Sequence, residues 1–237
     1  MANKPRITIP ETFMGVPIKG AMERKLKELE GQKRQGRQET QTSVNAPDIQ
    51  GMIYVPSAKL YFAKQRTHLN KNWKDTHKLL AQEKLRMPTI EEFRKTLNYL
   101  KNSQNQEHLE LYNEITEVRG PWRASHLDAY FEERKDGFYI LTANKKKAEK
   151  LENCLMKDKI PGISLENWLE GKNIISQGLP SPNIDDGDLG YWYPKNNQVA
   201  GFVAYSGEAN LYCDWDPDYR DSNLGVFGVA DTGSNAR

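Results

Sequence analysis

Three aspartates alternate near the end of the chain, at Asp214, Asp216 and Asp218. On a strand all three would point to the same face, whereas on a loop their oxygens would be of the ligand type that Ca²⁺ prefers. A second acidic run, residues 183–188, likewise contains three aspartates together with an asparagine and a glycine. Neither run has the spacing of a calcium-binding loop or its terminal glutamate. Turn chemistry by Asp, Asn and Gly is the favoured interpretation, and we predict no metal and no cofactor.

The other side chains that could do chemistry are four histidines and two cysteines. No histidine stands at metal-ligand spacing from another His or Cys. Cys213 lies between Tyr212 and Asp214, without the positive charge that a reactive thiolate needs. We predict that Cys213 and Cys154 are buried structural residues. Nucleophile-elbow and phosphate-loop motifs are absent, so we predict no catalytic residues and no enzyme.

The end of the chain is rich in both acidic and aromatic side chains. Residues 184–237 hold nine acidic side chains against three basic ones, and nine aromatic rings. Tyr, Trp, Ser, Asn, Gly and Asp dominate residues 201–223, a composition typical of a paratope, in which rigid rings supply contact area and small polar groups adapt their hydrogen bonds. The recognition face is predicted to use Tyr205, Tyr212, Trp215 and Tyr219. The core is predicted to take Phe202, Leu211, Leu224, Val226 and Val229.

The elements that must hold this face can be predicted from capping residues and apolar spacing. Thr89 followed by Glu92 is a capping box, which predicts a helix running to about Asn102. An Asp136-Gly137 step predicts a hairpin between two flanking strands. Further helices are predicted over 72–81, over 108–118 (alternatively a helix running into a strand) and over 164–169. Strands are predicted over 128–132, 137–141, 190–193, 199–204, 209–213 and 224–229.

Composition limits the class of protein. The net charge is only +2, from 34 basic and 32 acidic side chains, which argues against a dedicated nucleic-acid binder because such a protein carries a marked basic excess. No apolar run is long enough to span a membrane, and no secretory leader is visible, so a cytoplasmic location is the default expectation. Residues 1–45 are predicted to be a basic, loosely ordered N-terminal extension, and residues 50–230 a folded domain.

Two motifs carry a family resemblance. Residues 86–93, with the sequence R-M-P-T-I-E-E-F, resemble the R-L-P-T-x-x-E-W motif of C-type-lectin-like domains of the formylglycine-generating-enzyme type. Residues 224–229 resemble the G-F-R-x-V strand that ends those domains, with Phe227 where arginine is usual. Between them, residues 190–193 and 199–229 resemble the variable proteins of diversity-generating retroelements, particularly archaeal-type ones. The resemblance covers about residues 50–230.

The resemblance implies an α+β fold, namely a C-type lectin-like fold with two helices packed on short antiparallel sheets with long loops. In that family a hypervariable C-terminal region, here about residues 199–229, is rewritten at adenines of a template and displayed on a ligand-binding face. The implied ligand-binding and variable positions are Gly201, Val203, Tyr205, Gly207, Glu208, Asn210, Tyr212, Asp214, Trp215, Tyr219, Asp221, Ser222, Asn223 and Phe227, with Gly228 as a further candidate.

The implied function is non-enzymatic binding of an unknown ligand, expected to be a protein. Two alternatives use the same fold: a catalytic domain like the formylglycine-generating enzymes, and an adhesion or structural module. The copper-binding cysteine pair of those enzymes has no counterpart in this sequence. The fold itself does not imply sugar binding, since the calcium-and-sugar motifs of true lectins are absent.

Overall fold

The computed structural model describes residues 12–13, 16–17, 50–143, 148–152, 157–205 and 207–232. The chain divides into two units, Met1–Ala46 and Pro47–Arg237. In the first unit the described residues form two short antiparallel strands, β1 (Thr12–Phe13) and β2 (Val16–Pro17). The rest of the predicted basic extension lies outside the described residues, as does Cys154.

Four helices occur in the described part of the second unit, and each begins after a residue whose side-chain oxygen accepts a hydrogen bond from a backbone N–H of the first turn. The predicted helical segments are confirmed, except that the helix predicted over 108–118 spans Gln106–Thr116 and does not run into a strand. The count of two helices that the resemblance implied is wrong. The helices are α1 (Trp73–Gln82), α2 (Ile90–Lys101), α3 (Gln106–Thr116) and α4 (Leu165–Glu170). Their caps are Asn72, Thr89, Asn105 and Ser164.

The described residues of this unit form two sheets, of which the larger has eight strands. They are β5 (Arg123–Arg134), β6 (Gly137–Leu141), β7 (Glu149–Lys150), β8 (Lys159–Ile163), β9 (Leu189–Trp192), β10 (Gln198–Tyr205), β11 (Glu208–Trp215) and β12 (Leu224–Gly225). Seven of them lie in the order β7-β6-β5-β10-β11-β9-β8, with β12 beside β5. Most pairs are antiparallel, as expected, but β9 runs parallel to β11 and β12 runs parallel to β5, so the larger sheet is mixed.

The smaller sheet joins the start of this unit to its end. Its strands are β3 (Met52–Val55), β4 (Leu60–Ala63) and β13 (Val229–Asp231), in the order β13-β4-β3. The predicted strand over 224–229 is therefore two strands, because the chain leaves β5 after Gly225 and reaches β4 at Val229. Together, four helices and two sheets confirm the α+β class.

Aromatic rings fill the core between α2, α4 and β10. The Phe202 ring lies 5.3 Å from that of Phe93 and 6.2 Å from that of Trp168, to which it is nearly parallel. On the side of the smaller sheet, Phe62 stacks on Phe227 with centroids 5.3 Å apart. The five tail residues that were predicted as core are all buried, which confirms that prediction.

Arg86 ties the start of α2 to the end of the described chain. Its guanidinium makes two 2.7 Å hydrogen bonds to the Glu92 carboxylate and a 2.6 Å bond to Asp231. Burial alone would lower the pKa of Arg86, but the hydrogen bonds to the two carboxylates outweigh it and raise this pKa. Glu92 also accepts a hydrogen bond from the backbone N–H of Thr89, so one carboxylate serves both the ion pair and the capping box.

The first testable prediction concerns this capping box. Replacing Thr89 by alanine removes the acceptor for the Glu92 backbone N–H, and we expect the free energy of unfolding to fall by about 1 kcal/mol. Urea unfolding followed by circular dichroism measures this change. The Thr89→Ser variant keeps the hydroxyl and should stay within about 0.5 kcal/mol of wild type. Equal losses in both variants would show that the hydroxyl does not stabilise the helix.

Candidate ligand-binding surface

The strands β10 and β11 bring six of the fourteen predicted variable positions to one face. Side chains alternate along a strand, so from Gly201 to Tyr205 the odd positions of β10, and from Glu208 to Tyr212 the even positions of β11, point away from the core that holds Phe202 and Leu211. The ladder register then brings these positions together in pairs. The pairs are Gly201 with Tyr212, Val203 with Asn210, and Tyr205 with Glu208. Beyond Tyr212 the register shifts, and Trp215 also lies on this face, over Gly201.

Four rings form a continuous line along this face, which we call the aromatic row: Trp192, Tyr212, Trp215 and Tyr219. Trp192 and Tyr212 stack with centroids 5.3 Å apart and planes 6° from parallel. Tyr212 stacks on Trp215 at 5.5 Å, and Trp215 meets Tyr219 at 6.0 Å in a tilted arrangement. Offset stacking of this kind stabilises each pair beyond the burial of its area. Three of the four rings were predicted for the recognition face, and Trp192 was not.

A surface cavity of about 290 Å³ opens beside the aromatic row. Its most exposed rings are Tyr205, with 50% of its surface accessible, and Tyr219, with 42%. Tyr212 and Trp215 are partly buried against a small core cluster that contains Val203. The cavity is lined by Trp122, Val203, Tyr205, Tyr212, Trp215 and Tyr219.

Trp122 is the lining residue that the sequence analysis missed. It lies just before β5, about 80 residues from the tail, and its packing against the same small cluster as Tyr212 and Trp215 brings it to the cavity. The residue follows a Gly-Pro step, which predicts only a turn. Nothing in the local pattern indicates a long-range partner, so only the pairing of β5 with β10 reveals its role.

Two glycines make room for side chains on this face. A Cβ on Gly201 would lie 2.5 Å from Cε3 and Cζ3 of Trp215, so the ring occupies the space that any other residue would need. A Cβ on Gly190 would collide with Oδ1 of Asn210, which also accepts a 3.4 Å hydrogen bond from the Trp192 indole. The positions of Trp215 and Asn210 therefore depend on glycine in the neighbouring strands.

The loop after β11 is held to distant parts of the fold. The carbonyl of Pro217 accepts a 3.1 Å hydrogen bond from the backbone of Trp73, and that of Asp221 accepts one from Asn70. A guanidinium nitrogen of Arg66 donates to the Asn223 carbonyl at 2.8 Å. These bonds fix the loop that carries Tyr219, so the edge of the cavity has a defined shape.

The aspartates of the tail act mainly in turns and ion pairs. Asp216 and Asp221 each accept a hydrogen bond from the backbone N–H two residues ahead, at 2.8 Å and 2.7 Å, which confirms the prediction of turn chemistry. Asp214 pairs with Lys195 at 2.7 Å. Within the described residues, no three His, Cys, Asp or Glu side chains come close enough to hold a metal ion.

Several predicted display positions are buried. Gly201 and Val203 belong to the outer face of β10 but are covered by Trp215 and the rings around it, and Asn210 of β11 is covered beside Trp192, so these three are not displayed. Phe227 is 4% exposed and stacks on Phe62, so its side chain belongs to the core, as its apolar character requires. Gly228 is buried beside Leu80 and Leu85. The exposed or partly exposed predicted positions, apart from the tyrosines and Trp215, are Gly207, Glu208, Asp214, Asp221, Ser222 and Asn223.

Cys213 alternates with the displayed residues of β11 and points into the core. It is fully buried, and burial raises the pKa of its thiol well above the usual value, with the nearby Asp214 carboxylate adding to the effect. A thiol in this environment stays protonated and is a poor nucleophile. The prediction of a buried structural cysteine is confirmed.

The tyrosines of the cavity sit in an acidic environment. The pKa of Tyr212 is raised first by burial and then by the charges of Asp214 and Glu208. The pKa of Tyr219 is raised by burial and by Asp221. Both phenols are therefore neutral hydrogen-bond donors at physiological pH, and the charges that act on them are negative.

His126 lies in β5, beside Gly201 in the register and edge-on to Trp215, with centroids 6.4 Å apart. One ring nitrogen, Nε2, is 3.1 Å from the carbonyl oxygen of Lys71. Burial lowers the pKa of His126 to about 4, which keeps the imidazole neutral near pH 7. A neutral imidazole thus supports the ring at the centre of the aromatic row.

Comparisons of this chain with family models, with curated proteins and with solved structures find no match. Among the described residues, no helix is both long enough and apolar enough to cross a bilayer.

The contact between Gly201 and Trp215 leads to a second prediction. We expect Gly201→Ala to displace the indole, to change the tryptophan emission, and to lower the free energy of unfolding by about 1–3 kcal/mol through overpacking. In a Trp215→Ala background the same substitution should be neutral within about 0.5 kcal/mol. Urea unfolding of the four proteins of this double-mutant cycle measures the coupling. Additive effects would mean that the two residues do not share this space.

The third prediction concerns pH. The pKa of His126 is lowered from about 6.5 to about 4 on folding, so the unfolded chain binds the proton first. The part of the free energy of unfolding that depends on the neutral His126 ring is complete above pH 6.5. It is lost as the pH falls towards 4, by about 3 kcal/mol in total. His126→Gln, whose amide can still donate to Lys71, should lose correspondingly less stability between pH 7 and 4 in urea titrations. Identical pH profiles for both proteins would contradict this assignment.

Proposed function

We propose that this protein is a non-enzymatic recognition protein that binds a protein ligand through the cavity and the aromatic row. The observation that carries the proposal is the exposure of Tyr205 and Tyr219 at the edges of a concave surface whose other rings are held by stacking. Large aromatic residues in a partly preformed pocket are the usual centres of protein–protein binding energy. Rigid rings also lose little conformational entropy when they bind.

We further propose that the domain has a C-type lectin-like fold and that its C-terminal region is diversified by a retroelement. This part of the proposal is supported by the family resemblance of the motifs and by the arrangement of β10 and β11. The outward positions that are exposed or partly exposed, Tyr205 and Glu208, can change without altering the buried side chains of the opposite face. Gly201 and Asn210 are tied to Trp215 and Gly190 and can change only together with them. A binding face that tolerates exchange needs this separation from the core.

The binding part of the proposal predicts that the exposed tyrosines act as anchors. Peptides selected from a random displayed library on the wild-type protein should lose binding to Tyr205→Ala/Tyr219→Ala by about tenfold or more. The melting temperature of this variant should change by only a few degrees, because both rings are largely exposed.

Tyr54→Ala is the matched control, because Tyr54 is 40% exposed and lies in β3 of the other sheet. This variant should retain the binding of the selected peptides. If selection yields no peptides whose binding depends on Tyr205 or Tyr219, the proposed recognition role is wrong.

The diversification part makes a separate prediction about the neighbouring DNA. We expect a near-copy of the codons for residues 199–229 that differs from them where the copy has adenine, together with a reverse transcriptase gene. The differences should concentrate at codons for outward positions of β10 and β11 and spare those for Phe202, Ala204 and Leu211. Sequencing the flanking DNA tests this, and differences spread evenly over core and surface codons would refute it.

A further inference from the structure

We propose that the cavity receives the cationic end of an arginine or lysine side chain from the protein partner. This inference rests on the proposed recognition function and specifies the chemistry of its ligand. It follows from three features of the site: the aromatic lining, the unpaired carboxylates near it, and the commitment of the nearby basic side chains to other partners.

The lining of the cavity offers π systems and no competing cation. Five of its six lining residues are Trp or Tyr, and the sixth is Val203. Tryptophan is the strongest cation–π partner and tyrosine also attracts a cation within about 6 Å of its ring. The aliphatic stem of an arginine or lysine can pack on such rings while its charged head stays close to water, which suits an open surface cavity.

Two carboxylates near the cavity carry negative charge that is not paired with a basic side chain of the described residues. Glu208 is paired in the ladder with Tyr205, and Asp221 is close enough to Tyr219 to raise the pKa of that phenol. Within the described part of the chain, neither Glu208 nor Asp221 forms an ion pair with a basic side chain. Their charges therefore remain available to an incoming cation.

The basic side chains near the lining residues in the sequence already have partners. Arg123, which follows Trp122, pairs with Glu114 at 2.7 Å. Lys195 pairs with Asp214 at 2.7 Å, and Arg220 pairs with Asp75 at 3.1 Å. An anionic ligand would thus meet uncompensated negative charge, whereas a cationic ligand would meet complementary charge. Arginine fits best, because its planar guanidinium both stacks on aromatic rings and donates to carboxylates.

A matched pair of small probes tests this chemistry directly. N-acetyl-arginine methylamide and N-acetyl-citrulline methylamide have nearly the same shape, and only the first is charged. In an NMR titration we expect the indole N–H signals of Trp122 and Trp215 to shift with the arginine probe, at an affinity at least about fivefold higher than for citrulline. Equal affinities, or arginine shifts confined to other parts of the protein, would overturn the inference.

Charge-neutral variants test the contribution of the carboxylates. Glu208→Gln/Asp221→Asn should weaken the arginine probe by about threefold or more and leave the citrulline probe unchanged. Asparagine at 221 can still accept the turn hydrogen bond from Asn223, so the loop should keep its shape. The control Glu110→Gln/Asp186→Asn makes the same change in net charge away from the cavity lining and should have little effect. Equal weakening in the two variants would contradict a local charge effect.

The displayed peptides separate this inference from the function on which it rests. Peptides that require Tyr205 and Tyr219 and are enriched in arginine or lysine would support both proposals. Peptides that require these tyrosines but are enriched in apolar or acidic residues would overturn the cationic anchor and leave the recognition function standing. Peptides that do not require the tyrosines would overturn the recognition function itself.

Discussion

Phe202 projects from β10 into the core, where it packs against Phe93 of α2 and Trp168 of α4. Because side chains on a strand alternate, this contact forces Gly201 and Val203 to the opposite face. A slip of one residue in the register would bury Tyr205 and expose Phe202, at the cost of the aromatic core. The identity of the outer face, and with it the whole candidate site, depends on this alternation.

The outer face gains its shape from parts of the chain that are distant in sequence. Residues 66–73 hold the loop that carries Tyr219 through hydrogen bonds. The start of β5 brings Trp122 to the same cavity lining as Trp215 and places the His126 ring edge-on to Trp215. Backbone groups make most of the bonds to this loop, so its side chains can differ without loss of those bonds. A surface that is held in place by backbone hydrogen bonds can be rigid and can still tolerate substitutions of its side chains.

Local signals in the sequence predicted much of this framework. The capping box of Thr89 and Glu92 and the Asp136-Gly137 turn each depend on neighbouring residues, and each is present as predicted. Features that depend on partners far along the chain were missed or wrong. These include Trp122 in the cavity and the split of residues 224–229 between two sheets.

Phe227 is a position where the family resemblance and the hydrophobic character of the residue predict different locations for the side chain. The resemblance places it among the displayed positions, whereas its apolar ring stacks on Phe62 in the interior. It lies where the chain crosses from one sheet to the other, so strand alternation gives no guidance about its direction.

The residues of the outer face fall into two classes with different freedom to change. Tyr205 and Tyr219 are about half exposed, so their replacement alters the ligand contacts with little effect on packing. Trp215 and Asn210 fill space left by Gly201 and Gly190, so each pair must change together. Stacking already orders Trp215 and Tyr212 before a ligand arrives, which lowers the entropy that binding must cost. Trp215 and Asn210, together with their glycine partners, thus form a preordered base of the binding surface. Substitutions at Tyr205 and Tyr219 can change the specificity for a ligand with the least effect on the fold.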